Sequence, residues 1–153
     1  MSQKENKILL IDDDAEIRYS LDRVLRQDGH LVISADSGEN GIEKAKQIKP
    51  NLIFLDNRME GISGIETLQH LRTASPDSLV ILMTAYGTTQ TAIEAMKHGA
   101  FDYVLKPFDL AKLKELVAKA LKASKDSSSG NEETYHKLLN TEDYAEGIVG
   151  SGD

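Results

Sequence analysis

The chain has 153 residues, of which 40% are hydrophobic, and this suffices for one ordinary domain with a tail. The net charge of −7 argues against direct nucleic-acid binding, which needs a basic face, and the absence of cysteine excludes disulfides, thiolate metal sites and cysteine nucleophiles. Since no apolar stretch approaches the ~20 residues that span a bilayer, and the N-terminus lacks the apolar segment of a signal peptide, we expect a soluble, cytoplasmic protein without membrane contact.

Short apolar segments alternate along the chain with segments of helical periodicity. Strands are predicted at residues 7–12, 31–35, 51–56, 79–84 and 103–105. Three of these are nearly continuous in apolar residues, which is typical of strands covered on both faces. The alternation favours a parallel sheet with helical crossovers.

Helices are predicted at residues 15–27, 41–48, 64–73, 88–98 and 109–123. Asp14 and Asp109 are suited to cap the first and the last of them. Crossovers between parallel strands are almost always right-handed. Five βα repeats therefore predict a doubly wound α/β fold of the flavodoxin-like type, with a five-stranded parallel sheet in the order 2-1-3-4-5 and helices on both faces.

The regular alternation ends after residue 123. We assign residues 1–123 to one domain and the polar, serine-rich residues 124–134 to a linker. Residues 135–153 form a tail that is too short to fold alone. We expect the chain to be cut from a longer protein, the alternative being a disordered tail.

Polar residues stand at or just after the end of four predicted strands. They are Asp12 and Asp13, Asp56, Thr84, and Lys106. Because parallel strands with helical crossovers end at one edge of the sheet, where ligands bind, we expect these side chains to converge. Three carboxylates, a hydroxyl and an ammonium group suit a divalent cation together with a phosphoryl group.

Each of these residues also has an ordinary explanation when it is taken alone. Asp14 is best interpreted as a helix cap, and for Asp12 and Asp13 a simple turn is as plausible as a Mg²⁺ site built from oxygen ligands. If Asp56 is buried, its carboxylate needs a partner, which could be a metal or a lysine. Alternatively, the carboxylate could be a nucleophile that forms an acyl phosphate. Lys106 can pair with a carboxylate or bind phosphate. The conjunction of all of them favours a site.

Residues 7–122 resemble a response-regulator receiver domain. The matching motifs are Ile11-Asp12-Asp13-Asp14, Asp56-Asn57-Arg58-Met59 followed by Gly64, Met83-Thr84-Ala85, and the run from Gly99 to Phe108. The resemblance implies a phosphorylation-activated switch that accepts a phosphoryl group from a sensor histidine kinase onto Asp56, with Mg²⁺ as cofactor. It implies self-catalysed phosphorylation and dephosphorylation and no other enzymatic activity.

The resemblance also implies a role for each matching residue. Asp13 corresponds to the direct Mg²⁺ ligand and Asp12 to its outer-shell helper. Asp56 and the backbone carbonyl of Arg58 correspond to the remaining protein ligands. Thr84 and Lys106 correspond to the residues that contact the phosphoryl oxygens. Tyr103 corresponds to the switch aromatic that turns inward when Thr84 moves.

Residues 83–87 and 101–108 resemble the receivers of sigma-54-dependent, enhancer-binding transcription activators. Residues 147–151 resemble the opening of the AAA+ ATPase domain that follows in those proteins. This implies a downstream effector domain in the full-length protein. We expect the face formed by residues 88–98, 103–105 and 109–123 to be the output surface and to mediate phosphorylation-dependent homodimerisation.

One position departs from the family pattern. Glu60 replaces a family proline, so that the loop loses a fixed φ and gains a negative charge near the site.

Two other functions remain open. An aspartate-nucleophile, magnesium-dependent phosphatase or phosphotransferase would carry Asp-x-Asp, whereas Asp56 is followed by Asn57 and Arg58. A flavodoxin-like nucleotide binder would need a Ser/Thr/Gly-rich loop where this chain has three acids.

Overall fold

The computed structural model describes residues 6–58, 61–85 and 89–124, without the side chain of residue 89. Its strands are β1 (Lys7–Ile11), β2 (Leu31–Ala35), β3 (Leu52–Asp56), β4 (Leu79–Ala85) and β5 (Asp102–Lys106). All neighbouring pairs are parallel, and the order is β2-β1-β3-β4-β5. The predicted fold class and strand order are confirmed. The predicted linker and tail beyond residue 124 lie outside the described residues and stay a prediction.

The helices are α1 (Ala15–Gln27), α2 (Gly38–Ile48), α3 (Gly64–Ala74), α4 (Thr89–Lys97) and α5 (residues 110–124). Asp14 and Asp109 accept hydrogen bonds from the first turns of α1 and α5, as predicted for caps. The predicted start of α2 at residue 41 is wrong, because the Ser37 side chain caps the helix earlier by accepting from Asn40 N at 3.0 Å. Within the described ranges, no helix has the length and apolar character needed to cross a bilayer.

Alternating strand residues belong to two hydrophobic clusters, one on each face of the sheet. On one face, Ile8 and Leu10 of β1 pack with buried residues of α1 and α5. On the other, Leu9 and Ile11 pack with residues of α2, α3 and α4. Burying each such side chain contributes about 1.5–3 kcal/mol. Since both faces are covered, the carboxyl edge of the sheet is left to carry the polar residues.

Gly64, the first residue of α3, lies against the backbone that follows Asp56. A β-carbon at this position would lie 2.7 Å from Asn57 Cα and 2.8 Å from the Asp56 carbonyl oxygen. Backbone atoms inside the fold cannot move away cheaply. The absence of a side chain therefore lets α3 begin directly beside the end of β3.

We expect Gly64→Ala to lower the free energy of unfolding by about 3 kcal/mol through this overpacking. Gly29→Ala is the matched control, because Gly29 has a φ of +92° but nothing within 4 Å of the added β-carbon. It carries only backbone strain of about 1 kcal/mol. Urea unfolding compares the two variants, and equal losses would contradict a packing role for Gly64.

Candidate functional site at the carboxyl edge of the sheet

The strand ends bring the predicted acidic residues together. Asp12 follows β1, and Asp56 is the last residue of β3, the neighbouring strand. Asp13 lies in the turn after β1, where the alternation of strand side chains has ended. Carboxylate oxygens of these three residues lie within 4.8 Å of one another. The predicted acidic cluster is therefore present.

Lys106, the last residue of β5, bridges two of these carboxylates. Its Nζ donates to Asp12 Oδ2 at 2.9 Å and to Asp56 Oδ1 at 2.8 Å. The Lys106 side chain is 18% exposed, and those of Asp12 and Asp56 are 1% and 8% exposed. The three charges thus interact in a region largely shielded from water, where electrostatic attraction is strong.

Burial raises the pKa of the Asp56 carboxyl above its usual value, and the nearby Asp12 charge adds to this rise while the Lys106 hydrogen bond opposes it. Burial alone would lower the pKa of the Lys106 ammonium, but its hydrogen bonds to Asp56 and Asp12, together with the negative charges of both residues, outweigh burial and raise the pKa. Lys106 therefore keeps its proton at neutral pH. An ammonium group with two carboxylates nearby still leaves negative charge in excess.

The donor set fits a divalent metal ion. With Asp13 included, the cluster contains three carboxylates and one ammonium, and two net negative charges remain when all are ionised. Carboxylate oxygens are the ligands that Mg²⁺ prefers, and a partly exposed site lets the ion keep several waters. Asp13 is exposed while Asp12 is buried, so solvent reaches the cluster from the side of Asp13.

Hydrogen bonds engage all of the polar groups of Asp12. Its N–H donates to Ala35 O at 3.1 Å, and its carbonyl oxygen accepts from Arg18 Nη1 at 2.6 Å. Its Oδ1 accepts from Asp14 N at 2.9 Å, and its Oδ2 accepts from Lys106. Nothing in the sequence marks Arg18 as part of this region, although its position one helical turn after Asp14 is compatible with contact across the turn.

Thr84 and Tyr103 lie near this edge of the sheet but do not contact the acids through hydrogen bonds between described residues. Thr84 is buried, and its hydroxyl donates to its neighbour, Ala85 O, at 3.2 Å. Tyr103 is 40% exposed, and it pairs in register with Leu82, two residues before Thr84. Arg58 lies in the loop after β3 with an exposed side chain. Glu60 lies outside the described residues.

Comparisons with known proteins point to one family. Residues 8–118 match the model of the response regulator receiver domain. The chain is 39% identical over 134 residues to transcriptional regulatory protein ZraR of Klebsiella oxytoca, a match that covers 88% of this chain and 30% of that protein. It is 39% identical over 116 residues to regulatory protein AtoC of Escherichia coli (strain K12), covering 76% and 25%.

A solved structure agrees with these sequence matches. The crystal structure of the receiver domain of NtrX from Brucella abortus aligns with a TM-score of 0.72 at 28% identity, covering 75% of this chain and 98% of that one. The chain thus matches a whole receiver domain, whereas it spans less than a third of the length of the two curated relatives.

Proposed function

The chain belongs to the response-regulator receiver-domain family, and on this basis we propose that its phosphorylation switch operates through Asp56. The observation that carries the assignment is the position of Asp56 at the end of β3, hydrogen-bonded to Lys106 and clustered with Asp12 and Asp13. We propose a sensor histidine kinase as the donor of the phosphoryl group.

In the proposed reaction, a carboxylate oxygen of Asp56 attacks the phosphorus of a phosphohistidine. A P–O bond forms while the P–N bond breaks, and the histidine nitrogen keeps the bonding electron pair and takes up a proton. Lys106, already 2.8 Å from Asp56, holds a positive charge beside the transferred group. The hydroxyl of Thr84 exchanges Ala85 O for a phosphoryl oxygen as its acceptor.

We assign Mg²⁺ binding to Asp13 and Asp56 with the Arg58 carbonyl, and an outer-shell role to Asp12. When bound, the ion supplies positive charge that offsets the charge of the phosphoryl group. The assignment is supported by the engagement of all polar groups of Asp12 with protein partners, whereas the Asp13 carboxylate is exposed to solvent. Self-catalysed phosphorylation and dephosphorylation need no other cofactor in this scheme.

Intact-mass measurement after incubation with acetyl phosphate tests the proposal. We expect a gain of one phosphoryl group in Mg²⁺ and no gain in EDTA, with the phosphate labile to hydroxylamine. Borohydride reduction followed by peptide mapping locates it, and a main product elsewhere than Asp56 would refute the assignment. Steady release of phosphate from added phosphomonoesters would favour the phosphatase alternative.

Magnesium affinity is expected to depend on Asp13 more than on Asp14. The Asp14 side chain caps α1 by accepting from Glu16 N at 2.9 Å, so it is not free to serve as a ligand. Removing a direct carboxylate ligand by Asp13→Asn is expected to weaken Mg²⁺ binding more than tenfold, whereas Asp14→Asn retains a capping side chain. Calorimetry on both variants measures the difference, and equal losses would contradict it.

We propose that the output surface is the face formed by α4, β5 and α5. Among the described residues, six large hydrophobic side chains are exposed, and five of them lie on this face: Ile93, Met96, Tyr103, Leu105 and Leu110. Residues of β5 and α5 also line a groove of about 450 Å³. An exposed apolar surface of this kind is suited to contact with a second copy of the domain.

Tyr103 is the proposed link between phosphorylation and this face. Movement of Thr84 toward the phosphoryl group would free space for the Tyr103 ring, which is partly exposed on the adjacent strand. Two side-chain arrangements then form a two-state element that a local charge can bias by about 1–3 kcal/mol.

Self-association is therefore expected to change by about 5- to 150-fold when beryllofluoride and Mg²⁺ mimic phosphorylation. Sedimentation measures the dimer constant. Tyr103→Ala is expected to remove the response, whereas Tyr19→Ala, which removes an exposed ring on α1, is expected to retain it. A Tyr103→Ala protein that responds like the unaltered chain would exclude the aromatic as the coupling residue.

In the full-length protein, we propose a transcription-activating effector domain of the sigma-54-dependent class downstream of this receiver, in the cytoplasm. Support comes from the two relatives, which are a transcriptional regulatory protein and a regulatory protein. The segment at residues 147–151 that resembles the start of an AAA+ domain lies outside the described residues. The test is to measure transcription from a reporter promoter in the presence of the full-length protein. The proposal expects this transcription to depend on phosphorylation.

A further inference from the structure

Arg18, on α1, contacts the turn that carries the acidic cluster. Its Nη1 donates to the Asp12 carbonyl oxygen at 2.6 Å, and its backbone N–H donates to the Asp14 carbonyl oxygen at 3.1 Å. The side chain is half-buried. Arg18 thus bonds to the residue before Asp13 and to the residue after it.

The two peptide groups that flank Asp13 are both held by hydrogen bonds. The Asp12–Asp13 peptide is held at its carbonyl oxygen by Arg18, and the Asp13–Asp14 peptide is held at its N–H by Asp12 Oδ1 at 2.9 Å. By contrast, the Asp13 carboxylate accepts no hydrogen bond from any other described residue and is exposed. The backbone position from which the Asp13 side chain projects is therefore set by its flanking peptides.

We propose that Arg18 is a positioning residue for divalent-cation binding, acting through the Asp12–Asp13 peptide. It fixes this peptide so that the Asp13 carboxylate lies near Asp56 before the ion arrives. Arginine suits this role because its guanidinium is always charged and its planar N–H groups have fixed directions. The inference rests on the proposed function for the identity of the ion as Mg²⁺.

Arg18→Met tests the inference, because methionine retains an apolar stem but has no donor. Outer-shell substitutions typically weaken metal affinity by 10–100-fold, and we expect about a tenfold higher Mg²⁺ dissociation constant, measured from amide chemical shifts. Arg26→Met is the matched control. Arg26 is on the same helix and donates to a backbone carbonyl, Val32 O, at 2.9 Å, but this contact is at the opposite end of α1.

A second measurement follows the turn itself in the absence of metal. Hydrogen exchange of the Asp14 amide is expected to be about tenfold faster in Arg18→Met than in the unaltered protein, because the turn that holds it against Asp12 Oδ1 is loosened. Amides in the middle of α1 are expected to exchange at unchanged rates. General destabilisation of the helix would accelerate all of them.

Three results would overturn the inference. The first is an unchanged Mg²⁺ dissociation constant in Arg18→Met. The second is an equal weakening of Mg²⁺ binding in Arg26→Met, which would reflect loss of charge alone. The third is an unchanged hydrogen-exchange rate of the Asp14 amide in Arg18→Met. If Arg18→Met does not fold, Arg18→Leu, which also lacks a donor, carries the same comparison. Failure of acetyl phosphate to modify Asp56 would refute the proposed function, whereas the Mg²⁺ binding curves of the unphosphorylated protein decide the role of Arg18 separately.

Discussion

Asp56→Asn is expected to abolish magnesium-dependent phosphorylation by acetyl phosphate. An amide cannot form the acyl phosphate, because it lacks the carboxylate nucleophile. The substitution is nearly isosteric, and the amide oxygen can still accept from Lys106, so the fold is expected to persist. Because burial raises the pKa of this carboxyl, replacing it removes a partly disfavoured charge, and the metal-free variant is expected to unfold at the same temperature or higher.

The matched control for this loss is Asp77→Asn. Asp77 is an exposed acid in the turn between α3 and β4, so the substitution changes the net charge equally without touching the site. Intact mass is expected to show normal phosphorylation of this control. A hydroxylamine-labile phosphate at normal yield in Asp56→Asn would place the acceptor on another acid of the cluster.

Lys106→Met is expected to impair both stability and phosphorylation. Removing one partner of a buried ion pair typically costs 3–5 kcal/mol, and because Lys106 keeps some exposure we expect a loss of about 3 kcal/mol in the metal-free protein. The phosphorylation rate is expected to fall about 100-fold or more, as for removal of a group that stabilises transition-state charge. Urea unfolding and the time course of mass gain measure the two effects.

The conditions under which Lys106→Met recovers stability are also predictable. Burial raises the pKa of Asp56 in the folded state, so the folded protein binds protons more readily than the unfolded chain. Lowering the pH below neutral therefore protonates Asp56 in the folded variant before it protonates the same residue in the unfolded chain, and this is expected to reduce the stability deficit. Added Mg²⁺ is expected to stabilise the variant more than the unaltered protein, because it meets a larger excess of negative charge.

Lys114→Met serves as the control for charge removal. Lys114 lies 3.6 Å from Asp28, and both side chains are well exposed, so the substitution is expected to change stability by about 0.5 kcal/mol or less. A Lys106→Met protein that matches this control in stability and in its response to Mg²⁺ would contradict a charge-balancing role for Lys106.

The sheet and the strand-end residues were predictable because two simple signals coincide. Each apolar segment is long enough for a strand covered on both faces, and a polar residue stands where the segment ends. Parallel topology then places Asp12, Asp56 and Lys106 at one edge of the sheet. The hydrogen bonds from Lys106 to both acids are consistent with this reasoning.

Features that depend on side-chain reach were not predictable in the same way. The start of α2 differs from the prediction because Gly41 is typical of a helix boundary, whereas in the fold it allows close packing of the helix on Ile11. Arg18 has the spacing of an ordinary helical arginine, and only the three-dimensional turn brings the Asp12 carbonyl oxygen within its reach. The exposure of Tyr103 likewise depends on its place on an edge strand.

The covering of the sheet on both faces has a consequence for how such a protein can diverge. Within β1 and β3, all residues that belong to the two hydrophobic clusters have hydrocarbon side chains. The acidic groups of the site stand where the apolar segments of these strands end. Substitutions in the interior are therefore expected to destabilise the fold, whereas loop and helix-surface positions around the edge can change with little effect on folding. Recognition of a kinase or an effector can thus evolve on a scaffold whose interior hardly changes.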